Sequence, residues 1–443
     1  MVAVAALFLS GCIGSGGSSA PPPNNVHVVA KDSRVIVTWD MVDGVEYWIF
    51  HANGTGVTPQ NCSSMPLCYT AINVTSPASV TGLYNGYPYS FSINGRRNGG
   101  PGGSGSVAQN AQPRLAGATL TSDTPPTTSN LLGITYGAYD ANGSRFIAVG
   151  TAGALFSGTV YTTVDTNGFA KTGITWTPLV NPLAAPTATD LNAVSYDSVH
   201  VKYLSVGTGG KMIAMTPSSS TVWTELTGYT GGQNLLAITN NGAGFTVATG
   251  ANGTIIHSAD GGVTWAAATS ISPATAANLN GVAYGYSALY GNIFMAVGAS
   301  GTLLYSTDGD NWTNVASASF TSELKGVTYG LVGSVGTFVA VTADGKVITS
   351  LDGATWTLTT PVTVSSTLNA VMASANAVVP LLTTVTTAFV AVDNAGNIFQ
   401  STDGGVTWPQ VNTGSGSPLY AITRGGLFDY SAVGAAGSNL YAD

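Results

Sequence analysis

FMAVGASGTLLYSTDGDNW, residues 294–312, reads as three strands joined by two turns. FMAVG (294–298) is an aromatic-led apolar run, TLLYS (302–306) is a second run, and Trp312 leads a third. Gly301 ends the first turn, where a tight hairpin demands a positive φ that glycine adopts without a Cβ penalty. Asp308 sits in the second turn, where a carboxylate can accept backbone N–H groups of its own loop.

Outward from this stretch, the pattern recurs seven times. Each copy begins with Gly or Ala followed by a β-branched residue: GITY at 133, AVSY at 193, AITN at 237, GVAY at 281, GVTY at 326, AVMA at 370 and AITR at 421. Successive offsets are 60, 44, 44, 45, 44 and 51. An aromatic-led strand follows each start, and then a turn ending at Gly153, Gly210, Gly253, Gly301, Gly345, Gly396 or Gly437. A period near 44 with two insertions predicts the blades of a β-propeller. Four repeats carry the Asp turn: SADGGVTW (258–265), STDGDNW (306–312), SLDGATW (350–356) and STDGGVTW (401–408). Their Asp260, Asp308, Asp352 and Asp403 are expected to bind turn N–H groups. Trp265, Trp312, Trp356 and Trp408 are expected to bury their rings between blades. The seventh repeat has three strands, and RLAGATLTSD (114–123) is an orphan strand suited to supply the fourth. The reading is all-β: seven four-stranded blades over 114–443, with 114–123 closing the last.

The Asp turns resemble the Asp-box of the bacterial-neuraminidase-repeat family. The longer run through turn glycine, Asp and Trp is similar to the photosystem II assembly and stability factor-like propellers, over about three quarters of the chain. The resemblance implies boxes on the rim, away from the central site, and so a structural role for their carboxylates. One Asp and a Gly also fall short of a hard-cation shell, so no metal and no cofactor are expected.

Composition agrees. Charged residues are 7% of 443, with six Lys, six Arg and three Glu, which starves the wet face of long helices. A net charge of −8 with so few cations argues against a nucleic-acid partner.

The N-terminal run MVAVAALFLSGC ends at Cys12. LFLSGC resembles the bacterial lipobox, although no basic n-region precedes it. The resemblance implies acylation of Cys12, export, and a membrane or cell-surface location held by the lipid alone. The Gly/Ser/Pro stretch up to residue 24 then reads as a tether. Cys62 and Cys68 are predicted to pair in an oxidising compartment.

Residues 25–113 alternate apolar and polar in short runs: RVIVTWD (34–40), EYWIFHA (46–52) and SVTGLYNGYPYSFSING (79–95). They resemble a fibronectin type III sandwich, which implies Trp39 and Leu83 in the core and Tyr89 as the tyrosine corner. The loop RRNGGPGGSGS (96–106) reads as solvated.

Catalytic constellations are sparse. A sialidase needs clustered arginines, and the repeat region holds only Arg114, Arg145 and Arg424. His200 and His257 have no nucleophile motif beside them. Asp190 and Glu323 are the carboxylates that could face a glycosidase pocket. The residues preceding each inner-strand Leu, namely Asn130, Asp190, Asn234, Asn278, Glu323, Thr367 and Pro418, form a polar candidate binding rim. The leading expectation is a non-catalytic surface lipoprotein whose propeller binds protein or glycan. The alternatives are a self-associating subunit of a filament, sheath or surface layer, and a divergent glycan hydrolase.

Overall fold

The computed structural model describes residues 17–117, 120–141, 143–183, 189–217, 222–315, 320–359, 366–374, 388–412, 414–426 and 429–443. Cys12 and its lipobox lie outside them. The chain divides into two compact units: Met1–Arg114 with Thr162–Lys171, and Leu115–Tyr161 with Thr172–Asp443. Nearly all regular structure is strand, and no helix among the described residues is long and apolar enough to cross a membrane.

The smaller unit has two sheets. In one, Tyr89–Arg97 lies between Ser18–Ala20 and Glu46–Asn53, with Tyr69–Val74 beyond and Gln109–Ala111 also pairing with Tyr89–Arg97. The other joins His27–Lys31, Arg34–Thr38 and Ala78–Thr81. Val35, Val37, Trp39, Ile49, Leu83 and Phe91 are among the buried residues of a common core. Tyr89 Oη accepts the backbone N–H of Tyr84 at 3.2 Å, and Cys62 and Cys68 are disulfide-bonded.

Three expectations need correction here. The tether reaches only part of the way to residue 24, because Ser18–Ala20 pairs with Gly95, Arg96 and Arg97; backbone pairing needs no apolar pattern. The loop 96–106 is packed, not solvated throughout. A Cβ on Gly100 would meet Ser18 N at 2.2 Å and one on Gly103 would meet Ala20 O at 2.2 Å, so the glycines permit close chain approach. Finally, residues 162–171 belong to this unit, where Thr38 Oγ1 donates to the Gly168 carbonyl.

Among the described residues the larger unit contains seven sheets in chain order. Their first strands are Leu131–Asp140, Leu191–Asp197, Leu235–Asn240, Leu279–Ser287, Leu324–Val332, Leu368–Ala373 and Leu419–Arg424; we number the sheets 1 to 7 accordingly. Each first strand neighbours that of the next sheet, and the strand of sheet 7 neighbours that of sheet 1. Each begins with a fully buried Leu, followed in every sheet by a register shift before a Gly or Ala. The small residue has a physical cause: a Cβ on Gly133 would lie 2.9 Å from Ala193 Cα, and one on Gly281 3.1 Å from Gly326 Cα. Adjacent first strands meet backbone to backbone.

Strand number varies from the four expected. Sheet 4 has five, because Ser270–Ser272 adds in parallel to the outer strand Asn311–Asn314. Sheet 6 has three plus a single bridge between Phe399 and Gln410. In sheet 7 the outer strand is Leu120–Thr121, paired with Tyr441 and Ala442.

Candidate functional site

The rim residues sit where each chain segment enters its first strand, beside the turn between second and third strands. All seven main-chain carbonyls accept an N–H from that turn in their own sheet: Asn130 from Thr151, Asp190 from Thr208, Asn234 from Ala251, Asn278 from Ala299, Glu323 from Ala343, Thr367 from Asn394 and Pro418 from Ala435. Four side chains reach further. Asp190 Oδ1 accepts from Ala152 N (2.8 Å), Asn234 Oδ1 from Gly209 N (2.8 Å), Asn278 Oδ1 from Asn252 N (3.1 Å) and Asn130 Oδ1 from Ala436 N (3.1 Å). Each therefore clasps the turn of the preceding sheet. Thr367 Oγ1 donates to Ala343 O in the same sense, whereas Glu323 accepts from Asn280 and Lys325.

A second set of clasps was not singled out from sequence. Asn192, Asn280 and Asn369 directly follow the inner Leu, and each donates through Nδ2 to the carbonyl of the Leu opening the next sheet: Leu235, Leu324 and Leu419. The available signal was the dipeptide Leu-Asn at 191, 279 and 368.

The four Asp turns share one network. Asp308 Oδ1 accepts from Asp310 N (2.9 Å), Asn311 N (2.8 Å) and Ser306 Oγ (2.9 Å). Asp260, Asp352 and Asp403 accept from the matching groups of their own loops. The serine two residues before each Asp also accepts a glycine N–H: Ser258 from Gly262, Ser306 from Gly309, Ser350 from Gly353 and Ser401 from Gly405. The same glycines accept the indole N–H of Trp265, Trp312, Trp356 and Trp408. Partial burial opposes the charge on these carboxylates, but the hydrogen bonds outweigh it, and all four titrate below the usual range, Asp260 at about 2. Their charge is answered by N–H dipoles within the loop. Trp312, Trp356 and Trp408 are buried; Trp265 is only partly buried, packed against core residues of sheets 2 and 3.

The titratable candidates are dispersed. Arg145 pairs with Asp140 at 2.9 Å. His200 Nδ1 lies 2.7 Å from Asp197 Oδ2, and His257 stacks on Phe245. Asp190 is engaged with sheet 1 and Glu323 with sheet 4. Among the described residues no three His, Cys, Asp or Glu side chains are grouped to hold a metal ion.

A cleft of about 780 Å³ opens between sheets 5 and 6 on the side of the Asp turns. Val332, Val335, Leu351 and Leu358 of sheet 5 face Asp403 and Val406 of sheet 6 across it. Val335, Leu351, Leu358 and Val406 are each about half-exposed.

The first strands of the seven sheets neighbour one another in a closed cycle, and solved structures match this chain at the level of fold. The larger unit is a β-propeller. The chain is similar to YCF48 bound to D1 peptide (19% identity, TM-score 0.52, 73% of this chain and 94% of that one). It is similar to YCF48 from Cyanidioschyzon merolae (18%, 0.51, 73% and 98%). It is also similar to a catalytically inactive virginiamycin B lyase from Staphylococcus aureus with quinupristin (13%, 0.55, 73% and 98%). No family model matches the sequence. No curated protein matches it. At these identities the likeness establishes fold, and a propeller hosts scaffolds and enzymes alike.

In this propeller the rim oxygens are spent on joining sheets and the Asp turns on their own loops. Among the described residues, the cleft between sheets 5 and 6 exposes apolar side chains to solvent.

Proposed function

We propose that the chain is a non-catalytic, protein-binding scaffold, a seven-bladed Asp-box propeller carried with a fibronectin type III-like domain. The observation that carries this reading is the solvent-open apolar cleft between sheets 5 and 6, set on a frame whose polar groups bond to one another. Exposed apolar surface of this kind marks interaction sites. The engagement of Asp190 and Glu323 with different sheets, the dispersal of the arginines, and the fold shared with a propeller solved with a peptide support it. Panning a random twelve-residue peptide library against the intact chain tests it. Enrichment of peptides that also bind in solution supports the scaffold reading, and a library that returns no binder overturns it.

We infer further that Cys12 carries a lipid and that the protein is exported, on the strength of LFLSGC (7–12) and the disulfide between Cys62 and Cys68. Cys12→Ser should release the protein from membranes in a fractionation experiment. Unchanged partitioning would sink the anchor.

A further inference from the structure

We propose that the smaller unit holds a binding pocket for an uncharged phenol, with the His51 imidazole answering the ligand's hydroxyl. The pocket belongs to the other unit from the cleft between sheets 5 and 6, and it stands or falls without the scaffold reading.

A polar residue occupies a core position here. Tyr47, Ile49 and His51 alternate along Glu46–Asn53 and so face one way, between the two sheets. Tyr47 and Ile49 join the common core, and His51 is only 7% exposed. Its ring lies between two stacked aromatic rings, Tyr69 at 5.7 Å and Phe91 at 5.8 Å. Its Nδ1 is buried with no hydrogen-bond partner, a cost that a Phe or Leu at this position would not incur. Burial also pushes the imidazole down to about 4, so at neutral pH it is uncharged, with one N–H and one lone pair.

His51 lines a cavity of about 230 Å³. The cavity opens between Tyr69, on the edge strand of one sheet, and Thr81, on the edge strand of the other. His51, Leu83 and Tyr89 are its buried lining, and Leu67, Tyr69 and Tyr84 its more exposed one. Every lining residue falls within the continuously described stretch 17–117. Leu67 belongs to the loop closed by the disulfide between Cys62 and Cys68, and its φ is 51°. A branched side chain adopts this left-handed backbone at a cost, and residues so held cluster at ligand sites.

These features select the occupant. A dry cavity of about 150 Å³ takes one benzene ring, so this one holds a single ring with substituents. Aromatic walls favour an aromatic ring. Among the described residues no Asp, Glu, Lys or Arg lines the cavity, so an ionised ligand would lose its hydration without compensation. A hydroxyl both donates and accepts, so it pairs with whichever imidazole nitrogen meets it. Half a turn about the last histidine torsion, which is roughly two-fold, exchanges Nδ1 with Cδ2. The ring can therefore bring a nitrogen to the ligand without leaving its stack. A phenol meets all these conditions, as a tyrosine side chain of a partner polypeptide or as a free molecule.

The test titrates the intact chain with p-cresol, toluene, N-acetyltyrosinamide and methyl glucoside, followed by ligand-observed NMR. p-Cresol should bind about tenfold more tightly than toluene, the worth of one hydrogen bond. His51→Phe keeps a ring and removes the nitrogens. It should melt no lower than the parent, weaken p-cresol about tenfold and leave toluene unchanged. Tyr69→Ala, at an exposed position, should weaken both ligands. Val107→Ala, exposed in the same unit and outside the pocket, should change neither. Binding of N-acetyltyrosinamide at least as tight as that of p-cresol identifies a polypeptide tyrosine as the source, and p-cresol binding without it identifies a free phenol. The inference is overturned if toluene matches p-cresol, or if either pocket variant binds p-cresol as the parent does. It is equally overturned if p-cresol fails to bind at millimolar concentration, whether or not methyl glucoside binds in its place.

Discussion

Asp190 Oδ1 accepts the backbone N–H of Ala152 at 2.8 Å, so a side chain of the second sheet holds a turn of the first. The bond is solvent-exposed, and its loss should cost about 0.5–1.5 kcal/mol. Asp190→Ala should therefore lower stability by that amount in urea denaturation, and Asp190→Asn should cost less because its amide oxygen still accepts. Asn234→Ala should behave as Asp190→Ala does. Equal losses for Asp190→Ala and Asp190→Asn would show that the acceptor is not what matters.

Gly301 combines two constraints. Its φ is +70°, and an added Cβ would meet the Phe320 carbonyl at 2.2 Å. Gly291 has φ +75° with nothing within 4 Å. Ala at Gly291 bears only the left-handed backbone cost, about 1–2 kcal/mol. Gly301→Ala adds overpacking of about 1–3 kcal/mol. Thermal melts of the two variants should rank Gly301→Ala as the less stable.

Trp356 is buried and its indole N–H is bound to Gly353. Trp356→Ala should cost about 3–5 kcal/mol. Trp265→Ala should cost less, since that ring is only partly buried. Asp352→Asn should cost less than Trp356→Ala, and added calcium should leave the melting temperature unchanged. A calcium-dependent rise abolished by Asp352→Asn would turn the turn into a metal site.

The Asp turns also set an acid limit. Asp260 titrates at about 2 in the folded protein against 3.8 for a free side chain, and Asp308, Asp352 and Asp403 move the same way. Between the folded and unfolded values the unfolded chain binds more protons. Their stabilisation is thus present above about pH 4 and is lost as pH falls towards 2. Urea midpoints measured down this range should drop, and Asp260→Asn should flatten the fall.

Asp123 joins the outer strand of sheet 7 to sheet 1. Its carboxylate accepts from Tyr161 Oη (2.8 Å) and Ile174 N (2.7 Å), and its carbonyl accepts from Asn439 (3.3 Å). Asp123→Ala should raise protease cleavage around residues 114–123 and lower the melting temperature. Cleavage at the parent rate would show that the segment is held without this carboxylate.

The all-β propeller was legible because its signals are local. A turn glycine at 301, an aromatic at 294 and a Trp at 312 each answer to their own hairpin, and a period of 44 repeats them. The Gly or Ala at 133 and 281 was visible as a pattern, but its cause, backbone contact with Ala193 and Gly326, belongs to the next repeat. The same holds for the rim. Asn130 and Ala436 are bonded across nearly the whole unit, and no spacing in the sequence announces such a pair. The cleft lay beyond sequence reading for a related reason. Leu358 and Val406 look like ordinary members of strand and turn, and only the approach of sheets 5 and 6 sets them on facing walls.

The pairing of Leu120–Thr121 with Tyr441 and Ala442 carries a consequence for biosynthesis. A ribosome makes the first partner near the start of the propeller and the second after all the other sheets. Until then the early segment has no mate, and each completed sheet waits with an open neighbour. Loop-closure entropy for so distant a contact slows the final step. The nascent chain must therefore keep its early sheets from pairing with other chains, and translation that stops short of the last strand leaves a ring that cannot lock.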